Sequence, residues 1–143
     1  MLLYLHNSVL NRPFDDQSQA RVWLETLSFA FVLSLIEFGE AKLLRSPIHE
    51  VENRNSPDPE RQSGVNRCLA LADLDSIITI NDSVRTRALE LEQQGVKSFD
   101  ALHLACAEAL HADVFLTCDD RLLRRYSGTM RVENPAHFIT TLT

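Results

Sequence analysis

Short apolar runs alternate along the chain with longer segments in which apolar residues recur at helical spacing. The runs that predict strands are residues 2–5, 42–45, 76–80, 114–117 and, at a sheet edge, 130–132. Helices are predicted for residues 18–38 and 82–94, and others begin after Ser46, Asp58, Ser98, Asp119 and Asn134. Because alternating strands and helices form βαβ units, the pattern predicts a three-layer α/β/α sandwich with a central parallel sheet of four to five strands.

The helix that begins after Ser98 carries several polar residues that suit a functional site. With Ser98 as N-cap, Asp100 lies in the first turn, where the helix dipole favours a carboxylate in any protein. An apolar arc is predicted to face the core: Phe99, Leu102, Ala105, Cys106, Ala109 and Leu110. The residues predicted to lie opposite are Asp100, His103, Glu108 and His111. Asp119 lies just past the C-terminal end of the buried strand 114–117, so Asp100 and Asp119 are candidates to converge beyond the carboxyl ends of the strands.

The length and composition fit one domain spanning residues 1–143. The longest apolar run is shorter than the ~20 residues that a membrane-spanning helix needs. The start of the chain lacks the basic segment of a signal peptide, and a cytoplasmic protein without membrane contact is expected. The three cysteines form no CxxC pair and are expected to be reduced.

The net charge of −6 argues against a protein that binds nucleic acid by broad neutralisation of phosphates. Basic residues are available only locally, and each has solvated surface as its simpler interpretation: Arg12, Arg54, Arg61, Arg67, Lys97, Arg121, Arg124 and Arg125. The four glycines form no glycine-rich phosphate loop, which excludes P-loop and Rossmann sites.

Four stretches, in this order, resemble one known family. They are residues 4–16 (YLHNSVLNRPFDD), 46–53 (SPIHEVEN) with 57–61 (PDPER), 99–105 (FDALHLA) and 116–119 (LTCD). The sequence resembles PIN (PilT N-terminus) domains, the fold of many bacterial toxin ribonucleases of the VapC type. The resemblance implies a divalent-metal-dependent ribonuclease, the toxin of a toxin–antitoxin pair, with RNA as substrate, a small antitoxin as partner and a homodimeric state.

The resemblance also implies a cluster of acids that holds Mg²⁺ or Mn²⁺. Matched by motif, the acids are Glu52, Asp100 and Asp119, with Ser8 and Thr117 as polar neighbours that orient them or their waters. Glu50 lies about 200° from Glu52 around the same helix, so only one of the two can face the site. Simpler interpretations stay open, since Glu52 suits a solvated helix surface and Asp119 suits an N-cap. Asp120 is a competing candidate that also suits a first helical turn.

His6 departs from the family pattern, which has aspartate directly after the first strand. A neutral imidazole is a poor ligand for Mg²⁺ and a better one for Mn²⁺ or softer metals. Three hypotheses follow: His6 ligates Mn²⁺ and activity survives in altered form; the site is natural but weakened or lost; or the substitution disarms a toxic parent enzyme. The alternative function is therefore a catalytically inert PIN-fold module that binds an antitoxin-like protein or RNA.

Overall fold

Four parallel strands form the centre of the computed structural model, which describes residues 1–73 and 77–142. The strands are β1 (Leu2–Leu5), β2 (Lys42–Leu44), β3 (Val114–Leu116) and β4 (Arg131–Glu133), in the order β2-β1-β3-β4. Leu5 pairs with Leu116 and Leu116 with Glu133, so three strands end at the same level. The predicted parallel sheet is confirmed, with four strands.

Helices cover both faces of the sheet. They are α1 (Asn7–Leu10), α2 (Ala20–Glu37), α3 (Pro47–Arg54), α4 (Pro59–Leu69), α5 (Asp82–Gln93), α6 (Ser98–Ala109), α7 (Asp120–Arg125) and α8 (Pro135–Thr140), with a 3₁₀ turn at Arg12–Phe14. Alternate strand residues enter opposite cores, with Leu3 and Leu5 on the side of α2 and Tyr4 on the side of α6. The three-layer α/β/α architecture is therefore confirmed.

The strand predicted at residues 76–80 is wrong where the structure describes it. Ser76 lies outside the described residues, and Ile77 forms a single parallel bridge with Arg45. Residues 78–80 belong to no strand, and Ile77 is 43% exposed. An apolar, β-branched run alone cannot show whether a neighbouring strand is available to pair with it. No helix in the described ranges is long and apolar enough to cross a membrane.

The predicted face of α6 is wrong in part, since Ala105 and Cys106 are buried as expected but other positions are not. His103 is fully buried, whereas Phe99 is 43% exposed. The helix packs against both α5 and α3, and its buried residues include consecutive positions. Burial on several sides removes the single apolar stripe on which the prediction depended. The N-cap is Lys97 rather than Ser98, and Asp100 still lies in the first turn.

In α2, several of the apolar residues whose spacing predicts the helix lie on its solvent side, among them Trp23, Leu27 and Phe31. The core instead receives Val22, Phe29, Val32 and Ile36, together with the polar Glu25 and Ser28. Five large apolar side chains remain 47–82% exposed: Trp23, Leu24, Leu27, Phe31 and Phe38. We refer to these five residues as the α2 stripe. Exposed apolar groups in such number on one helix are typical of a docking surface.

Glu25 fills its buried position by accepting hydrogen bonds from three elements. Its Oε1 accepts from Nε and Nη2 of Arg12 at 2.9 and 2.7 Å, and its Oε2 accepts from Arg21 at 3.3 Å and from Asn134. Burial alone would raise the pKa of Glu25, but these donors hold it below its usual range. Glu25 therefore links α2 to the 3₁₀ turn and to the start of α8.

We expect Glu25→Ala to lower the free energy of unfolding by about 3 kcal/mol, because it leaves Arg12 without its buried partner. Urea denaturation monitored by circular dichroism measures this change. Glu37→Ala, on the exposed end of the same helix, is the matched control and should change stability by less than about 0.5 kcal/mol. Equal effects of the two variants would contradict a structural role for the Glu25 cluster.

Candidate active site

The candidate site begins where β1 and β3 end. The backbone N–H of His6 donates to the carbonyl of Leu116 at 2.9 Å, which continues the strand pairing by one residue. His6 therefore lies beside Thr117, and its Nδ1 is 2.9 Å from both Thr117 Oγ1 and Ser8 Oγ. Ser8 Oγ also accepts from the backbone N–H of Cys118 at 2.9 Å. The structure thus places Ser8 and Thr117 together, where they fix the imidazole of His6.

Asp100 reaches this point from the first turn of α6. Its Oδ1 lies 2.8 Å from His6 Nε2, and the two side chains are 18% and 7% exposed. The hydroxyls of Ser8 and Thr117 can donate to Nδ1, which leaves Nε2 to donate its N–H to the carboxylate. Burial would raise the pKa of Asp100, but the hydrogen bond and charge of His6 outweigh burial and lower it.

Glu52 reaches the site from α3 and is held by a buried hydrogen-bonded chain. Its Oε1 lies 2.5 Å from His103 Nε2, His103 Nδ1 lies 2.5 Å from the hydroxyl of Tyr4, and that hydroxyl lies 2.6 Å from Ser46 Oγ. Burial raises the pKa of Glu52; His6 and a hydrogen bond with Asn7 oppose the rise, and the charge of Asp100 adds to it. Glu52 and Asp100 each contact a histidine, and the rings of these two histidines, His103 and His6, lie 5.5 Å apart.

Asp119 is the third candidate acid, and it also serves as the N-cap of α7. Its Oδ1 accepts from the backbone N–H groups of Arg121 at 2.9 Å and Leu122 at 3.4 Å, and its own N–H donates to Thr117 Oγ1 at 3.0 Å. Asp100 and Asp119 line the same pocket. The capping interpretation is confirmed, and the capping residue is also one of those that line the pocket.

The two competing acids turn away from the pocket. Glu50 forms an ion pair with Arg45 at the surface, and Asp120 pairs with Arg21 at 2.7 Å. Glu50 and Asp120 are therefore each occupied by an arginine, whereas Glu52 contacts His103 and Asp119 lines the pocket.

The sequence pattern does not identify two buried histidines near the site. It predicts that His103 lies opposite the apolar arc of its helix, and it assigns no role to His49. His49 Nδ1 accepts from the backbone N–H of Ser46 at 3.1 Å, and its Nε2 donates to the carbonyl of Leu5 at 2.8 Å. The position of His49 three residues after the N-cap Ser46 is the signal that could have shown its role, because a side chain there reaches back to the cap.

Comparison with known proteins assigns the fold to a family. The sequence profile of the PIN domain matches residues 3–128. The chain belongs to the PIN-domain family. It is similar in fold to a chain of VapBC2 from Rickettsia felis, which was crystallised bound to a DNA fragment from their promoter. The TM-score is 0.60 at 18% identity, over 94% of this chain and 98% of that one. No curated protein sequence matches.

PIN domains generally use divalent metal ions, and the residues of this PIN domain fit such an ion only in part. Carboxylate oxygens are the donors that Mg²⁺ prefers. Two of the three carboxylates, however, already lie within hydrogen-bond distance of histidine nitrogens. Within residues 1–73 and 77–142, no three His, Cys, Asp or Glu side chains are arranged to hold an ion. The donor types fit, and the contact between His6 and Asp100 opposes binding.

The buried histidines predict how stability depends on pH. Burial is the main cause that lowers the pKa of His49 to about 3, and it lowers that of His103 well below its usual value. Because the pKa of each histidine is lower in the folded state than in the unfolded state, its contribution to stability is fully present above about pH 6.5 and is lost as the pH decreases toward the folded pKa.

Urea denaturation between pH 6 and 4 should show this loss of stability. His49→Gln should reduce the slope by about 1.4 kcal/mol per pH unit, and an unchanged slope would contradict the assignment.

Proposed function

We propose that this chain is a metal-dependent ribonuclease of the PIN type, acting in the cytoplasm as the toxin of a toxin–antitoxin pair, with activity reduced by His6. The observation that carries the proposal is that Asp100 and Asp119 line one pocket beyond the ends of two central parallel strands. Glu52, from a third element, lies beside His103, whose ring is 5.5 Å from that of His6, the partner of Asp100. Clustered carboxylates at this edge of a sheet suit a cation that acts on a phosphodiester.

Glu52, Asp100 and Asp119 would hold the Mg²⁺ or Mn²⁺ ion, which supplies polarisation of the phosphate and a water of lowered pKa. His103 orients Glu52 and is itself held by Tyr4. Ser8 and Thr117 hold His6 against Asp100. His6 either joins the ligands, which favours Mn²⁺ over Mg²⁺, or competes with the ion for Asp100, which weakens activity.

We expect His6→Asp to increase both metal affinity and RNA cleavage by at least about tenfold, since interactions around metal ligands typically change either quantity by 10–100-fold. Calorimetric titration with Mn²⁺ and Mg²⁺ measures binding, and cleavage of a labelled RNA measures activity. His111→Asp makes the same change at an exposed position outside the site and should alter neither quantity.

Paired variants test the acids within the His6→Asp protein. Glu52→Gln and Asp119→Asn should each remove most of the cleavage. Glu50→Gln and Asp120→Asn, the neighbouring acids that point away, should leave it intact. If folded His6→Asp protein cleaves no RNA with either metal, the ribonuclease proposal fails.

A catalytically inert binding module is the second candidate, and the contact between His6 and Asp100 favours it. Because Asp100 already has His6 as a hydrogen-bond partner, the folded site does not need a metal ion to hold this carboxylate. The α2 stripe then supplies the binding surface in either candidate. The occupant that we propose is an apolar segment of a small antitoxin, since the fold relative from Rickettsia felis is a chain of a complex, VapBC2.

We expect Leu27→Glu with Phe31→Glu to abolish binding to the product of a neighbouring short antitoxin-like gene, because the variant places charges in the centre of the stripe. Co-expression followed by size-exclusion chromatography measures the complex. Leu89→Glu, an equally exposed apolar position on α5 (59%), is the matched control. If the double variant keeps the complex, the stripe is not the antitoxin surface. If it instead dissociates a homodimer of the isolated chain, the face belongs to a second copy.

A further inference from the structure

A group of cations lies around the mouth of the pocket that contains Asp100 and Asp119. Lys97, Arg121 and Arg125 line this pocket, and Arg124 follows three residues after Arg121 on α7. We propose that this basic rim, Lys97, Arg121, Arg124 and Arg125, binds the phosphate backbone of the RNA. The inference rests on the proposed function and names the residues that position its substrate.

Among the residues that the structure describes, the basic rim differs from most other basic side chains because it forms no ion pair within 4 Å. Seven arginines form ion pairs with carboxylates at 4 Å or less: Arg12, Arg21, Arg45, Arg61, Arg85, Arg87 and Arg131. Across the described ranges, the four rim residues form no such pair, although all four are exposed. Lys42, Arg54 and Arg67 also have no ion pair in those ranges, and they are dispersed over β2, α3 and α4.

The rim is assembled from two segments that the fold holds together. Gly95 ends the turn after α5 with a φ of +95°, and its carbonyl accepts a hydrogen bond from Arg125 Nη1 at 2.6 Å. This bond fastens the turn that leads to Lys97 against the end of α7. On α7, Arg121 and Arg124 share a helix face because they are three residues apart. Cations from both segments therefore face one pocket.

The positive charge of the rim matters because the rest of the protein is acidic. The net charge of −6 repels a polyanion from most of the surface. At the pocket itself, Asp100 and Asp119 add to this repulsion. Exposed cations beside the acids offset it locally and can follow an extended strand, as basic grooves do in proteins that bind single-stranded nucleic acids. RNA is favoured over an acidic polypeptide because the rim adjoins the carboxylates that we propose act on a phosphodiester.

The test compares two double variants that remove the same charge. Lys97→Ala with Arg121→Ala removes rim cations, and Lys42→Ala with Arg54→Ala removes unpaired cations elsewhere. Arg125 is left intact because it holds the Gly95 turn. Fluorescence anisotropy with a short labelled single-stranded RNA is measured in EDTA, which prevents metal-dependent cleavage, over a range of salt concentrations. Circular dichroism confirms that each variant is folded.

We expect the rim variant to bind RNA at least about tenfold more weakly at low salt and to lower the slope of log affinity against log salt by about 1.4, or 0.7 per lost phosphate contact. The control variant should match the unaltered chain.

Equal binding by both variants, or no RNA binding by the unaltered chain, overturns the inference. Binding of labelled polyglutamate in place of RNA overturns it in favour of an acidic protein segment. Rim-dependent RNA binding without cleavage by the His6→Asp protein would support the rim and reject only the ribonuclease proposal.

Discussion

The candidate site depends on one backbone hydrogen bond beyond the end of the sheet, from the N–H of His6 to the carbonyl of Leu116. It extends the pairing of β1 with β3, so the chain segments that leave these strands start side by side. Ser8 and Thr117, which are far apart in sequence, then meet at 3.2 Å and hold the ring of His6. Asp100 comes to that ring because α6 begins at the same edge. Parallel pairing therefore determines where the polar side chains collect.

The site holds two contacts between imidazole and carboxylate that differ in burial. His103 is fully buried, and burial lowers its pKa. Burial also raises the pKa of its partner Glu52. Asp100 faces a more accessible His6, and its pKa is lowered. Glu52 is therefore the less favourable anion and Asp100 the better one. A cation that used Asp100 as a ligand would compete with His6 for its Oδ1. Position 6 is therefore the residue at which the two proposed functions differ.

Local signals predicted most of the fold. Neighbouring residues alone are enough to predict β1 and the helix caps at Asp58 and Asn134, and each of these predictions is confirmed. The rule for parallel sheets, applied to the sequence, also predicted that Asp100 and Asp119 lie at one edge of the sheet, and both line one pocket. Tertiary packing decided the rest. His103 is buried because α6 has neighbours on two sides. Residues 78–80 form no strand because contact with the sheet edge is limited to the bridge between Ile77 and Arg45, with a 3.4 Å hydrogen bond from the N–H of Ile78 to the carbonyl of Arg45. Neither fact is encoded in the apolar pattern of the segment concerned.

Arg21 connects the surface proposed for a partner with the pocket mouth. It lies at the start of α2, two residues before Trp23, and its guanidinium donates to Asp120 at 2.7 and 2.8 Å and to the carbonyl of Cys118 at 3.1 Å. The first turn of α2 is therefore fixed beside the segment that carries Asp119. Arg21 thus links the α2 stripe to the start of α7 through a side-chain ion pair and a backbone contact, and both depend on the first turn of α2.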